Sequence, residues 1–199
     1  AQAIASRTYA LKQKGNNLFD IDSTQRNQVY NGLESRTYKT IRAVKSTRSL
    51  VLTYKKKLIN ALFHSSSGGM TENSQDVWKN KYPYLSSVKD FDEKNPKFRW
   101  QKNFSNKELL NLFPKIGGIK NIEILNITDT GRVKNVKFYG DYGSDQMSGV
   151  DLRKKLGLNS TFIRFKLIKE PSKQFPIEKG LVVFGQGSGH GVGMSQWGA

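Results

Sequence analysis

Cysteine is absent from the 199 residues, which excludes disulfides, thiolate zinc sites and a cysteine nucleophile and leaves the redox compartment open. Histidine is nearly absent too, with only His64 and His190. Acidic residues are scarce, 16 Asp+Glu against 33 Lys+Arg, so the formal charge is +17 and the field attracts polyanions. No apolar run approaches the ~20 residues of a membrane-spanning helix, and no signal peptide is visible. The positive charges are scattered, with short clusters at residues 55–57 and 153–155, and no recognition helix or RNA-binding motif accompanies them. Nucleic acid is therefore not the expected partner. A cell wall carrying carboxylates and phosphodiester polymers is an alternative polyanion that charge alone does not separate from it.

Two polar, glycine-rich stretches stand out, and each holds one of the histidines. Residues 63–78, FHSSSGGMTENSQDVW, gather His64, Ser66, Ser67, Gly68, Gly69 and Glu72 after an apolar run. Residues 184–199, FGQGSGHGVGMSQWGA, hold His190 and Gln196. Glycine lets backbone approach a ligand closely, and Ser and Thr hydroxyls brace a compact loop. Either loop alone reads as a tight connection between strands. Together they point to a shared cleft.

The pattern of elements predicts an α+β fold, mixed and mainly antiparallel, with a few short helices around one cleft. Residues 1–15 read as a helix by Ile4, Thr8 and Leu11, with Arg7 near the apolar stripe, where its charge would meet a carboxylate or a ligand. Gln25 and Tyr30 follow in a polar segment ending in a turn, and residues 40–47 read as helical. Residues 49–54 and 58–63 read as a hairpin split by three lysines. Asp90 and Asp92 read as a solvated turn, with cation binding as the other option. Residues 98–104 alternate as a strand, and Ser105 with Glu108 forms a capping box for a short helix. Residues 119–127 and 133–139 form a hairpin across Thr128-Asp129-Thr130-Gly131. A second capped helix spans 148–156, and strands follow at 161–168 and 181–184.

No G-x-S-x-G elbow supports a serine hydrolase, and neither histidine has H-E-x-x-H or H-x-H spacing for a metal. The terminal glycines lie at the end of the chain, not between a first strand and its helix as a dinucleotide site requires. Acid–base work on a sugar polymer needs a carboxyl among hydroxyls and amides, with aromatics for sugar faces. Glu72, Trp78, Tyr82, Tyr84 and Trp197 meet that inventory, although Trp78 and Trp197 beside small residues read as packing anchors.

The blocks AQAIASRTYAL, AVKSTRSLVLTY, ALFHSSSGGMTENSQDVW, VKDFDE, MSGVDLRKKLGLNSTFIRF and GSGHGVGMSQWGA, in that order, resemble the stage II sporulation protein D family over nearly the whole chain. The resemblance implies a peptidoglycan-active protein outside the cytoplasmic membrane. It implies either a lytic transglycosylase that cuts peptide-stripped glycan into 1,6-anhydro-muramic acid ends, or a non-catalytic wall-binding module that enhances a cell-wall amidase. The family's general acid sits in a Pro-x-Glu element before the first helix, so Ala1 falls after it. The chain is accordingly expected to be one domain over residues 1–199, truncated at both ends, with room for a small excursion around 90–150. On this resemblance Glu72 is the candidate catalytic carboxylate within the chain. Arg7, Gln25, His64, Ser66, Ser67, Gly68, Gly69, His190 and Gln196 are the candidate substrate contacts. No cofactor is expected, since the zinc that some relatives hold beside the first histidine uses cysteines this chain lacks.

Overall fold

The computed structural model describes residues 1–14, 21–24, 27–78, 80–169 and 179–199. The chain divides into two compact units, residues 1–63 with Ala199, and residues 64–198. Among the described residues no helix is long and apolar enough to cross a membrane.

In the first unit, helix α1 (Gln2–Gln13) buries Ala5 and Thr8. Helix α2 (Tyr38–Ser46) starts where the Thr37 hydroxyl accepts the Thr40 N–H, and the Thr40 hydroxyl in turn accepts the Thr37 N–H. This is the reciprocal capping of a helix start. The Thr8 hydroxyl accepts the Leu52 N–H (2.9 Å), tying α1 to the segment ahead of the lysine hairpin. The hairpin is shorter than the alternating pattern suggests. Strands β1 (Thr53–Tyr54) and β2 (Lys57–Leu58) pair through only two registers, Thr53 with Leu58 and Tyr54 with Lys57. The flanking apolar residues, Leu50 and Leu52 among them, are exposed and do not extend the ladder.

Strand β3 (Phe63–His64) leads from the first unit into the second, where the first glycine-rich loop is followed by the one-turn helix α3 (Ser74–Val77). Strand β4 (Arg99–Ser105) leads into α4 (Asn106–Leu112), whose predicted capping box is present: the Ser105 hydroxyl accepts the Glu108 N–H, and Glu108 accepts the Ser105 N–H. Strands β5 (Asn121–Ile127) and β6 (Val133–Tyr139) make the expected hairpin. Strand β7 (Ser144–Ser148) adds to its far side, with Tyr139 opposite Ser144. Its sequence, SDQMS, lacks the β-branched and aromatic residues that mark strands, so only pairing with β6 makes it one. Helix α5 (Gly149–Leu156) follows, with Ser148 accepting the Asp151 N–H. Strands β8 (Ile163–Ile168), β9 (Gly180–Gln186) and β10 (Met194–Ser195) complete the chain.

Besides the two-stranded pairs β1-β2 and β3-β10, the longer strands form two three-stranded antiparallel sheets, ordered β4-β9-β8 and β5-β6-β7. The fold is α+β. One core joins Phe104, Leu109, Val136, Phe138, Leu152 and Leu181 from both sheets and from α4 and α5. Central strand β9 buries Leu181, Val182 and Val183 completely, as a strand covered on both faces does. It also aims the second glycine-rich loop. Gly185 lies opposite Trp100, so close that a β-carbon there would sit 2.0 Å from the indole. The indole Nε1–H donates to the Gly187 carbonyl (2.8 Å), fixing where the loop leaves the sheet. Replacing Gly185 by Ala is expected to push Trp100 off the strand and destabilise the protein by about 2–3 kcal/mol. A urea midpoint unchanged from the parent chain would show that the indole has room to move.

Candidate functional site

The two glycine-rich loops interlock backbone to backbone. Ser66 and Ser188 exchange both hydrogen bonds, Ser66 N–H to Ser188 O at 3.0 Å and Ser188 N–H to Ser66 O at 2.8 Å. Gly68 (φ +79°) and Gly187 (φ +72°) are in the left-handed region where side chains are strained. A β-carbon on Gly187 would also come within 2.7 Å of the Ser66 carbonyl, and one on Gly68 within 3.0 Å of Gln186. The loops therefore meet only because these positions lack side chains.

Beneath them sit the two aspartates. Asp92 is almost wholly buried and accepts from the Ser66 hydroxyl (2.5 Å) and the Gly68 (3.0 Å) and Gly69 (2.9 Å) amides. Asp90 accepts from the Ser67 hydroxyl (2.6 Å). The sequence suggested a solvated turn here. The structure corrects this, because the carboxylates are the internal braces of the first loop. Burial pushes the Asp92 carboxyl up, but the bonds from Ser66 and the two amides outweigh it and hold the group below the usual carboxylate range. Ser66 and Ser67, candidate sugar contacts by sequence, are themselves buried on these carboxylates.

Glu72 has no solvent exposure. One oxygen accepts the Thr128 (2.6 Å) and Thr130 (2.5 Å) hydroxyls with Arg132 at 3.6 Å; the other accepts the Asn73 N–H (2.8 Å). Its own N–H donates to the Gly191 carbonyl (2.7 Å). Arg132 is equally buried and donates to the Ser67 and Met70 carbonyls (2.7 Å each) and the Thr130 hydroxyl (2.8 Å), with its guanidinium over the Phe162 ring. Burial lowers the Arg132 pKa, while Glu72 and Asp92 act the other way. Thr128, Thr130 and Arg132 reach the site only through tertiary packing; in sequence they show only as the turn Thr128-Asp129-Thr130-Gly131, which fixes a hairpin but not its reach.

The histidines face each other with ring centroids 5.5 Å apart. His64 Nδ1 lies 3.1 Å from the Val192 carbonyl and so donates to it, while His190 Nδ1 accepts the Val192 N–H (3.1 Å). His64 Nε2 is buried and has no hydrogen-bond partner among the described residues. Burial, partly offset by the Val192 bond, lowers the His64 pKa to about 4, so the ring is neutral at pH 7. Trp78 meets His190 edge-on at 5.0 Å and is 39% exposed. Trp197 is 50% exposed, so neither tryptophan is the packed anchor its neighbours suggested. Exposed Gln196 donates its backbone N–H to the His64 carbonyl (2.8 Å).

Arg7 belongs to the first unit, where its guanidinium donates to the Thr47 (2.7 Å) and Leu50 (2.9 Å) carbonyls at the end of α2. Gln25 lies outside the described residues. A cavity of about 290 Å³ opens beside Glu72, lined by Asp76, Lys134, Asn135, Ser148 and Asp151 among others. Among the described residues no three His, Asp or Glu side chains converge as a metal cage would require.

Two acid-sensitive steps follow. His64 has a folded pKa below its unfolded value, so its contribution is present above about pH 6.5 and lost as pH falls toward 4. This is expected to cost about 3 kcal/mol across that window, and His64→Gln should flatten it in urea titrations. Asp92→Asn is expected to cost about 2 kcal/mol at pH 7. The folded Asp92 pKa is depressed, so that gap should narrow only below about pH 4; a gap independent of pH would show that the carboxylate charge is not what holds the loop.

Among known proteins, residues 1–54 match the family model described as stage II sporulation protein, and residues 73–193 match a domain of unknown function, DUF8618. The whole chain is 34% identical to an uncharacterized protein of Brachyspira hyodysenteriae over 210 residues, covering 54% of that protein. It is also 34% identical to stage II sporulation protein D of Bacillus subtilis over 220 residues, covering 60% of it. The amidase enhancer of Bacillus subtilis is 29% identical over 251 residues, with 34% of its length covered. The chain thus spans only part of the curated relatives it matches.

Proposed function

Because the chain belongs to the stage II sporulation protein D family, we propose that it acts on the bacterial cell wall outside the cytoplasmic membrane, as the strand-holding part of a peptidoglycan lytic transglycosylase. The observation that carries this reading is the interlock itself. Two glycine-rich loops are held rigidly from below by Asp92, Glu72 and Arg132, and they present the Trp78 and His190 rings together. Such a surface offers an aromatic edge to a sugar while its braces stay out of water. The Val192 N–H donates to His190 Nδ1, which fixes the orientation of that ring.

In the reaction a carboxylic acid gives its proton to the glycosidic oxygen as the bond from C1 breaks. The same carboxylate then takes the proton of the muramic acid 6-hydroxyl, whose oxygen bonds to C1. Water is not consumed, and one carboxylate serves both steps. Within this reading Glu72 is a positioning residue: its oxygens are engaged by Thr128, Thr130 and Asn73, and it shapes the loop from which substrate is held. The acid is the glutamate that the family resemblance places ahead of residue 1. The burial of Glu72 favours a second reading, a wall-binding module that enhances an amidase, the activity named for one relative.

The test is mass spectrometry of peptide-free glycan strands incubated with the full-length protein. We expect 1,6-anhydro-muramic acid ends that vanish when the upstream acid is changed to Gln. Glu72→Gln should slow their release by about tenfold, equivalent to about 1.4 kcal/mol. Strands that bind but stay intact would leave the amidase-enhancing reading. Complete loss of product in Glu72→Gln with an unchanged melting temperature would make Glu72 the acid itself.

A further inference from the structure

We propose that the lysine-tipped hairpin of β1 and β2 is a docking finger for a linear phosphodiester polymer of the cell wall; this rests on the extracytoplasmic reading above. The turn is the first observation. Lys55 (φ 48°) and Lys56 (φ 62°) occupy the two positions of a two-residue hairpin loop, both in the left-handed region. Such turns favour Asn-Gly, because side chains at positive φ are strained. Two consecutive lysines are therefore a poor choice for folding.

The surroundings supply the second observation. Lys55, Lys56 and Lys57 are all exposed, and among the described residues no carboxylate lies in salt-bridge reach of them. Residues 35–63 hold eight Lys and Arg and no Asp or Glu, and Lys39, Arg42 and Lys45 of α2 are exposed in the same unit. It is not a loose arm. Thr8 anchors the segment before β1 through Leu52, and Arg7 anchors the end of α2. Strained backbone that persists in a braced element is the mark of a position kept for what its side chains do.

The chemistry of the tip selects the partner. Ammonium groups are compact charges suited to spaced phosphates. The ring beside the tip, Tyr54, has the Lys55 ammonium over one face at 5.7 Å, which a base stacking on that face would have to displace. The turn residues carry no aliphatic side chain to enter a bilayer, as an interfacial anchor must.

The experiment replaces the pair by the turn's preferred residues, Lys55→Asn with Lys56→Gly, and compares it with Lys55→Gln plus Lys56→Gln. Binding to purified poly(glycerol phosphate) at low salt is expected to fall about tenfold in both. Only the Asn-Gly variant should melt higher, by about 2–4 °C. Release of anhydro ends from strands stripped of that polymer should be unchanged, so failure of the docking idea and failure of the transglycosylase reading are separately visible. Equal polymer affinity in parent and variants would overturn the proposal. So would tighter lysine-dependent binding to single-stranded DNA or to anionic phosphatidylglycerol vesicles than to the polymer.

Discussion

The buried pair of Glu72 and Arg132 is the constraint on which the arrangement of the second unit depends. Removing two charges from water costs several kcal/mol for each ion, and attraction alone does not recover it. Here the deficit is offset by charge-assisted hydrogen bonds: two hydroxyls and an amide on the carboxylate, two carbonyls and a hydroxyl on the guanidinium. Those partners come from separate stretches of chain, namely the first loop, the hairpin turn between β5 and β6, and, through the Glu72 amide, the second loop. Such a cluster adds little net stability. What it does is make one relative placement of those stretches far better than any slightly shifted one, because a shift would strand a charge.

Local chemistry was the most legible part of the fold. Ser105 with Glu108 and Ser148 with Asp151 start helices where the capping pattern says they should, and the turn at residues 128–131 joins the two strands on either side of it. The meeting of the two histidine-bearing loops was legible as well, since so much glycine in two places has few other uses. What could not be read was burial. Glu72, Asp90 and Asp92 look in sequence like carboxylates facing water or ligand, and nothing within a few residues reveals that Thr128, Ser66 and Ser67 come from elsewhere to cover them. Arg132 was hidden for the same reason. Strand β7 is not legible in the sequence because its residues are indifferent to being a strand until β6 supplies a ladder. The pattern at residues 49–63 overstated the hairpin because apolar alternation persists there without a sheet to receive it.

The same burial alters how the charge of the chain should be understood. Sixteen acidic residues already fall far short of thirty-three basic ones, and Glu72, Asp90 and Asp92 are withdrawn into internal hydrogen bonds. Among the described residues Arg132 alone joins them from the basic side as a buried cation. The solvent-facing surface is consequently more one-sided than composition suggests. A wall bearing phosphodiesters and carboxylates would draw it in from a distance set by ionic strength, before any loop geometry is felt.

Val192 bonds to both histidines, through its carbonyl to His64 and through its N–H to His190. A single residue thus acts as a common pivot for both imidazoles, and its own side chain is fully buried and has no say in the chemistry. Neither ring can swing independently, because tilting one disturbs the backbone that aims the other. The pivot therefore fixes the orientation of the two-ring unit through main chain that mutation of side chains cannot easily change.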